Sequence, residues 1–155
     1  MYPLSLTNRI LYGITILISL VVLIDFALPG TLYTEDVVCV SRNKEKYYNA
    51  GGNSHNTYRV VTPTRQFSVS KDVATTLEGK QVVYAVSLIF KEVNRYKLAT
   101  SEKSHLYSFR VVSGLVLPLL VLFALGISYG FKKDLSILVF VLQVLTAGNL
   151  VMLLL

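Results

Sequence analysis

Two stretches without a charged side chain, Val111 to Phe131 and Leu135 to Leu155, constrain this chain more than any other feature. Each is 21 residues long. A helix of that length reaches about 31 Å, close to the thickness of a bilayer's hydrocarbon core. A third apolar stretch runs from Ile10 to Ile24 and continues past a single acid, Asp25, to Thr34. Between this amino-terminal stretch, the first along the chain, and Val111 lies one hydrophilic block, Thr31 to Arg110, large enough for a single small domain. Large soluble enzymes are thereby excluded. The expected fold is an α+β membrane protein with three transmembrane helices and a small β-rich extramembrane domain between helices 1 and 2. Its segments are residues 1–30, 31–104, 105–131, a short basic turn at 132–134, and 135–155.

Charge placement orients these segments. Arg9 precedes the first stretch, Glu35 and Asp36 follow it, and Lys132 and Lys133 outnumber Asp134 in the short turn. Short segments rich in Lys and Arg stay cytoplasmic, so the amino terminus and the turn are expected inside, with the block and the carboxyl terminus outside. The block itself carries twelve Lys and Arg against seven acids, which argues the other way. Long loops translocate largely regardless of charge, so the short segments decide. A cleaved signal peptide is the rival reading of the amino end, with Arg9 as its charged region. The residues after Ile24 lack paired small residues for cleavage, and Pro29-Gly30 reads as a helix stop, so an uncleaved anchor fits better. Tyr12 and Phe26, then Tyr107, Phe109, Tyr129 and Phe131, bracket the first two stretches as interface aromatics do. The block has no Asn-x-Ser or Asn-x-Thr acceptor, which favours a bacterial inner membrane with a periplasmic domain.

Within the block, β-branched and aromatic residues recur in runs that read as strands: 36–41, 58–62, 66–70 and 81–90. Phe67 and Val69 alternate with Gln66, Ser68 and Ser70, so one face is buried and one is wet. The run from Gln81 to Phe90 is apolar on both faces, which predicts a central strand or one packed on the membrane or a partner. Thr62-Pro63-Thr64 predicts a hairpin, and Lys71 to Glu78 a short helix ended by Gly79. After Phe90 a linker or an early helical start is expected. The segment from Lys44 to Asn56 reads as a loop, with Tyr47, Tyr48, Asn53 and His55 as candidate partner-binding residues. A hairpin tip with no function is the plainer alternative.

Chemistry has no visible carrier. Cys39 is the only cysteine, is expected buried among valines, and forms no disulfide or cysteine-based metal site. His55 and His105 lie fifty residues apart in no ligand spacing, so no metal or other cofactor is expected. Nucleophile-elbow, P-loop and dinucleotide signatures are absent. The net charge of +6 is spread without a recognition helix, so nucleic acid is not an expected partner. The basic residues from Lys91 to Arg110 suit anionic lipid head groups, with Arg110 snorkelling.

The apolar stretches themselves hold a few polar and small residues. Asp25 is the candidate intramembrane charge; near the outer end of the first helix, it is expected to face head groups or to meet Arg110 or Lys103 rather than line an ion path. Gln143, Thr146 and Ala147, followed by Gly148 and Asn149, predict a packing face on the third helix. Ser113, Gly114 and the Gly126 to Gly130 pair are the matching candidates on the second, which Pro118 can kink. A non-enzymatic membrane subunit, packing its helices on other integral membrane proteins, fits this pattern best. A homo-oligomeric channel or transporter lined by Gln143, Asn149 and Asp25, and an envelope sensor or adaptor using the Tyr47 to Asn56 loop, are the alternatives.

Overall fold

A computed structural model describes residues 6–46, 54–77, 79–130 and 136–155. The fold is α+β: the β sheets lie in sequence between the first and second of three long apolar helices, and the described residues form two compact units. The helical unit comprises Met1–Pro29, Ser87–Glu92 and Ser108–Leu155, and the β unit comprises Gly30–Val86 and Val93–Tyr107.

In the helical unit, α1 (Leu6–Ala27) stops two residues before Pro29, whose ring disfavours helical backbone at the residue before it. One unbroken helix then runs from α3 (Ser108–Val111) through a wide π turn (Val112–Val116) into α4 (Leu117–Gly130), and α5 (Ser136–Leu154) follows. Three segments, Thr7–Ala27, Ser108–Ser128 and Ile137–Leu154, are long and apolar enough to cross a membrane. Helix α1 buries Thr15, Ser19, Val22 and Asp25, a stripe at spacings of four and three. Tyr12 packs on Val121, Leu125 and Val139, while Asp25 pairs with Arg110. These contacts run α1 antiparallel to the helix from Ser108 to Gly130.

The β unit holds two sheets. One is ordered β1-β5-β6-β7, from β1 (Thr31–Asp36), β5 (Gln81–Val86), β6 (Val93–Leu98) and β7 (His105–Leu106). The other is ordered β2-β3-β4, from β2 (Cys39–Lys46), β3 (Ser54–Val61) and β4 (Gln66–Val69). All pairings are antiparallel. The chain crosses between sheets at Val37–Val38, whose amides donate to Lys80 O and Val61 O respectively. Val60, Phe67 and Val69 face Val82, Tyr84, Val86, Val93 and Tyr96, and α2 (Lys71–Leu77) adds Val73, Ala74 and Leu77 to this core. Phe67 lies with ring centroids 5.5 Å from Tyr84 and 5.7 Å from Tyr96.

The hairpin at Thr62-Pro63-Thr64, the alternation of β4, and the short helix before Gly79 with its φ of 70° all agree with expectation. Other readings need correction. The run 36–41 is no single strand, because the sheet crossing at Val37–Val38 divides it between β1 and β2. Cys39 is exposed rather than buried, since the crossing resets the alternation so that Val37 and Val40 point inward. The arms of a β2–β3 hairpin extend into the supposed loop, as far as Lys46 and from Ser54. Tyr47, Tyr48 and Asn53 lie outside the described residues, as do the side chain of His55 and residues 132–134.

The run 81–90 ends as a strand at Val86, and the stretch after Phe90 is β6 rather than a linker or helix. A bulge opposite Ala85 and Val86 breaks the two-residue alternation of β6. Asn94 is the extra residue, so Val93 and Asn94 are both buried in succession.

Candidate functional site

Asp25 is the one acid in the first apolar stretch, and it is fully buried. Its Oδ2 accepts from Arg110 Nη2 at 2.9 Å, and its Oδ1 accepts from the backbone N–H of Ile89 at 2.6 Å. Arg110 is also 0% exposed, so neither of its two expected fates as a lone group, snorkelling for Arg110 or facing head groups for Asp25, is realised. The expected alternative, an Asp25–Arg110 meeting, is. The third partner comes from Ser87–Glu92, a compact turn in which Ser87 N donates to Glu92 O and Glu92 N to Ser87 Oγ, with Lys91 at a φ of 60°. A left-handed lysine costs of order 1 kcal/mol or more and persists only where neighbours dictate it. The hydrogen bond from Ile89 to Asp25 provides such a constraint. Burying two charges is expensive, and it is tolerated where both carboxylate oxygens are satisfied, as here.

A second polar contact follows from Pro118. The π turn pairs Leu117 N with Val112 O, so the next donor in register for Ser113 O would be residue 118. Proline has no N–H. Asn149 of α5 supplies the missing donor, its Nδ2 lying 2.9 Å from Ser113 O. Thr146 is buried and donates to Leu142 O within its own helix. Among the described residues, the Nε2 of Gln143 and the Oγ atoms of Ser19 and Ser113 are buried without a hydrogen-bond partner.

Among the predicted packing residues, Ser113, Gly114 and Thr146 are buried in the helical unit, Asn149 bonds Ser113 there, and Ala147 and Gly148 are exposed. Gly126 and Gly148 have open space where a Cβ would stand, and the surroundings of Gly130 lie outside the described residues. Gly114 is the glycine that close packing requires. A Cβ there would lie 2.8 Å from Phe26 Cδ2 and 3.0 Å from Phe26 Cβ. Gly114→Ala is therefore expected to cost about 1–3 kcal/mol of stability. Combined with Phe26→Ala, which removes the ring, the penalty should shrink; thermal unfolding of the four variants in detergent would read this non-additivity.

The β unit contains a hydroxyl cluster that sequence reasoning missed. Thr64 Oγ1 donates to Glu35 Oε1 at 2.6 Å and lies 2.9 Å from the Tyr84 hydroxyl. Because Thr64 spends its one proton on the carboxylate, the phenol is the donor between the two hydroxyls. Burial alone pushes the Glu35 carboxyl up, but the hydrogen bond from Thr64, with the hydroxyl dipoles of Thr62 and Tyr84 beside it, outweighs it and holds Glu35 below the usual value. Burial, aided by the Glu35 charge, pushes the Tyr84 phenol up, the reverse of an activated nucleophile. The cluster thus ties β1 to β5 and to the β3–β4 turn. With its folded value depressed, Glu35 contributes stability above the ordinary carboxyl range, and that contribution is lost as pH falls through the folded value. Glu35→Gln should flatten the acid limb of the unfolding curve of the full chain in detergent.

Among the described residues, no group of three or more His, Cys, Asp or Glu side chains could hold a metal ion. Comparison with protein-family models, with curated protein sequences and with solved structures found no match.

Proposed function

We propose that this chain is an integral membrane subunit without catalytic activity of its own, which packs its helices on other membrane proteins and presents the β unit on the outer side. The amino terminus and the basic turn at 132–134 face the cytoplasm in this reading, and a bacterial inner membrane is the setting. Gln143 carries it: this half-buried amide stands in an apolar helix one turn from the exposed Ala147 and Gly148, and its Nε2 has no hydrogen-bond partner among the described residues, so a turn of the side chain toward that small-residue surface would pair it with an acceptor on a neighbouring chain. Asp25 and Asn149, the other groups a conduit would use, are already engaged by Arg110, Ile89 and Ser113. That favours a structural role over a channel.

Gln143→Leu separates the two. Loss of assembly with an intact monomer supports the subunit, whereas loss of solute flux with intact assembly supports the conduit. Deleting residues 47–53 tests the adaptor reading, which requires partner binding to vanish while insertion and helix packing persist.

A further inference from the structure

The outward face of the four-stranded sheet is ordered by chemistry along its strands. Register places Leu32, Ala85, Arg95 and Leu106 in one row across β1, β5, β6 and β7. Thr34, Val83 and Lys97 form the next row, and Asp36 and Gln81 the third. Leu32 is 69% exposed and Leu106 49%, with Arg95 exposed between them. Leu32 is the second residue of β1 and Leu106 the last of β7. Rows two residues apart are separated by about 7 Å, so the lone acid, Asp36, is about 13 Å from the apolar row. That exceeds the Debye length at physiological salt, about 8 Å.

We propose that this sheet face docks on an anionic lipid surface, with Leu32 and Leu106 entering the head-group boundary and Arg95 and Lys97 on lipid phosphates. Leucines flanking an arginine, with a lysine one row further out, match an interface that is apolar below and negatively charged above. The acid lies at the far end, where it repels least. Two basic side chains near a strongly anionic leaflet favour the docked state by about thirtyfold. This inference rests on the membrane reading, and its test distinguishes the failure of each.

The full chain with Cys39→Ser and Leu106→Cys, carrying a nitroxide on the new cysteine, is reconstituted in nanodiscs. One set contains phosphatidylcholine alone, and the other includes phosphatidylglycerol. Accessibility of the label to a water-soluble nickel relaxer is compared with its accessibility to oxygen. Docking predicts a label shielded from nickel in the anionic discs and wetter in the neutral ones, with shielding lost at 1 M salt, where the Debye length is about 3 Å, or in the Arg95→Gln, Lys97→Gln variant. The salt series needs no substitution in the basic pair, so misfolding of the variant leaves a clear result. A label equally wet in both lipids overturns the docking, as does shielding that ignores lipid charge or requires a co-purifying protein. Failure to enter either disc overturns the membrane reading along with it.

Discussion

Arg110→Met is expected to destabilise the helical unit by about 3–5 kcal/mol, because it leaves the Asp25 carboxylate buried with only the Ile89 amide for company. Asp25→Asn is expected to do similar damage from the other side, removing the carboxylate that pairs with a guanidinium 0% exposed. The double variant should be milder than the sum of the two, since no charge is then left without its counterion. Unfolding in bicelles, followed by a double-mutant cycle, reads the coupling directly. Additive losses would mean that the two residues act independently, and the account of the helical unit as closed on this pair would fail.

Phe67→Ala should be the most damaging single change in the β unit, at about 3–5 kcal/mol. The ring is 3% exposed, comes from the three-stranded sheet, and rests against Tyr84 and Tyr96 of the other sheet. Removing it opens a cavity at the contact that holds the two layers together. Small domains have total stabilities of about 5–15 kcal/mol, so most of that margin would go. Limited proteolysis of the full chain in detergent should show the 30–107 region cleaved far faster than in wild type, while Phe67→Leu keeps most of its protection.

The same residues explain what sequence could and could not disclose. The helices were legible because the absence of charge over 21 residues is a signal that tertiary context cannot counterfeit. The β3–β4 hairpin and α2 were legible because Pro63 and Gly79 punctuate them through backbone geometry. The strands around Val37 and Asn94 were not, because a sheet crossing and a bulge each shift the two-residue alternation on which strand reading depends. The site was half legible. Asp25 stood out as a lone intramembrane acid, and Arg110 was one of its two named partners. The Ile89 amide was hidden, since every residue has one and only the fold of Ser87–Glu92 aims it. Asn149 was visible as a polar residue, but its acceptor depended on a π turn and a missing proline donor acting together. Glu35 offered no signal, because Thr64 and Tyr84 reach it from 29 and 49 positions away in sequence.

If the polar interior of the helices serves structure, the function of this chain resides in what it assembles with. Mild-detergent extraction of the tagged protein at native expression level, followed by blue-native electrophoresis and mass spectrometry of co-migrating chains, tests that most directly. The account predicts a stoichiometric complex with other integral membrane proteins, weakened by Gln143→Leu. Migration alone, or only with copies of itself, would contradict it.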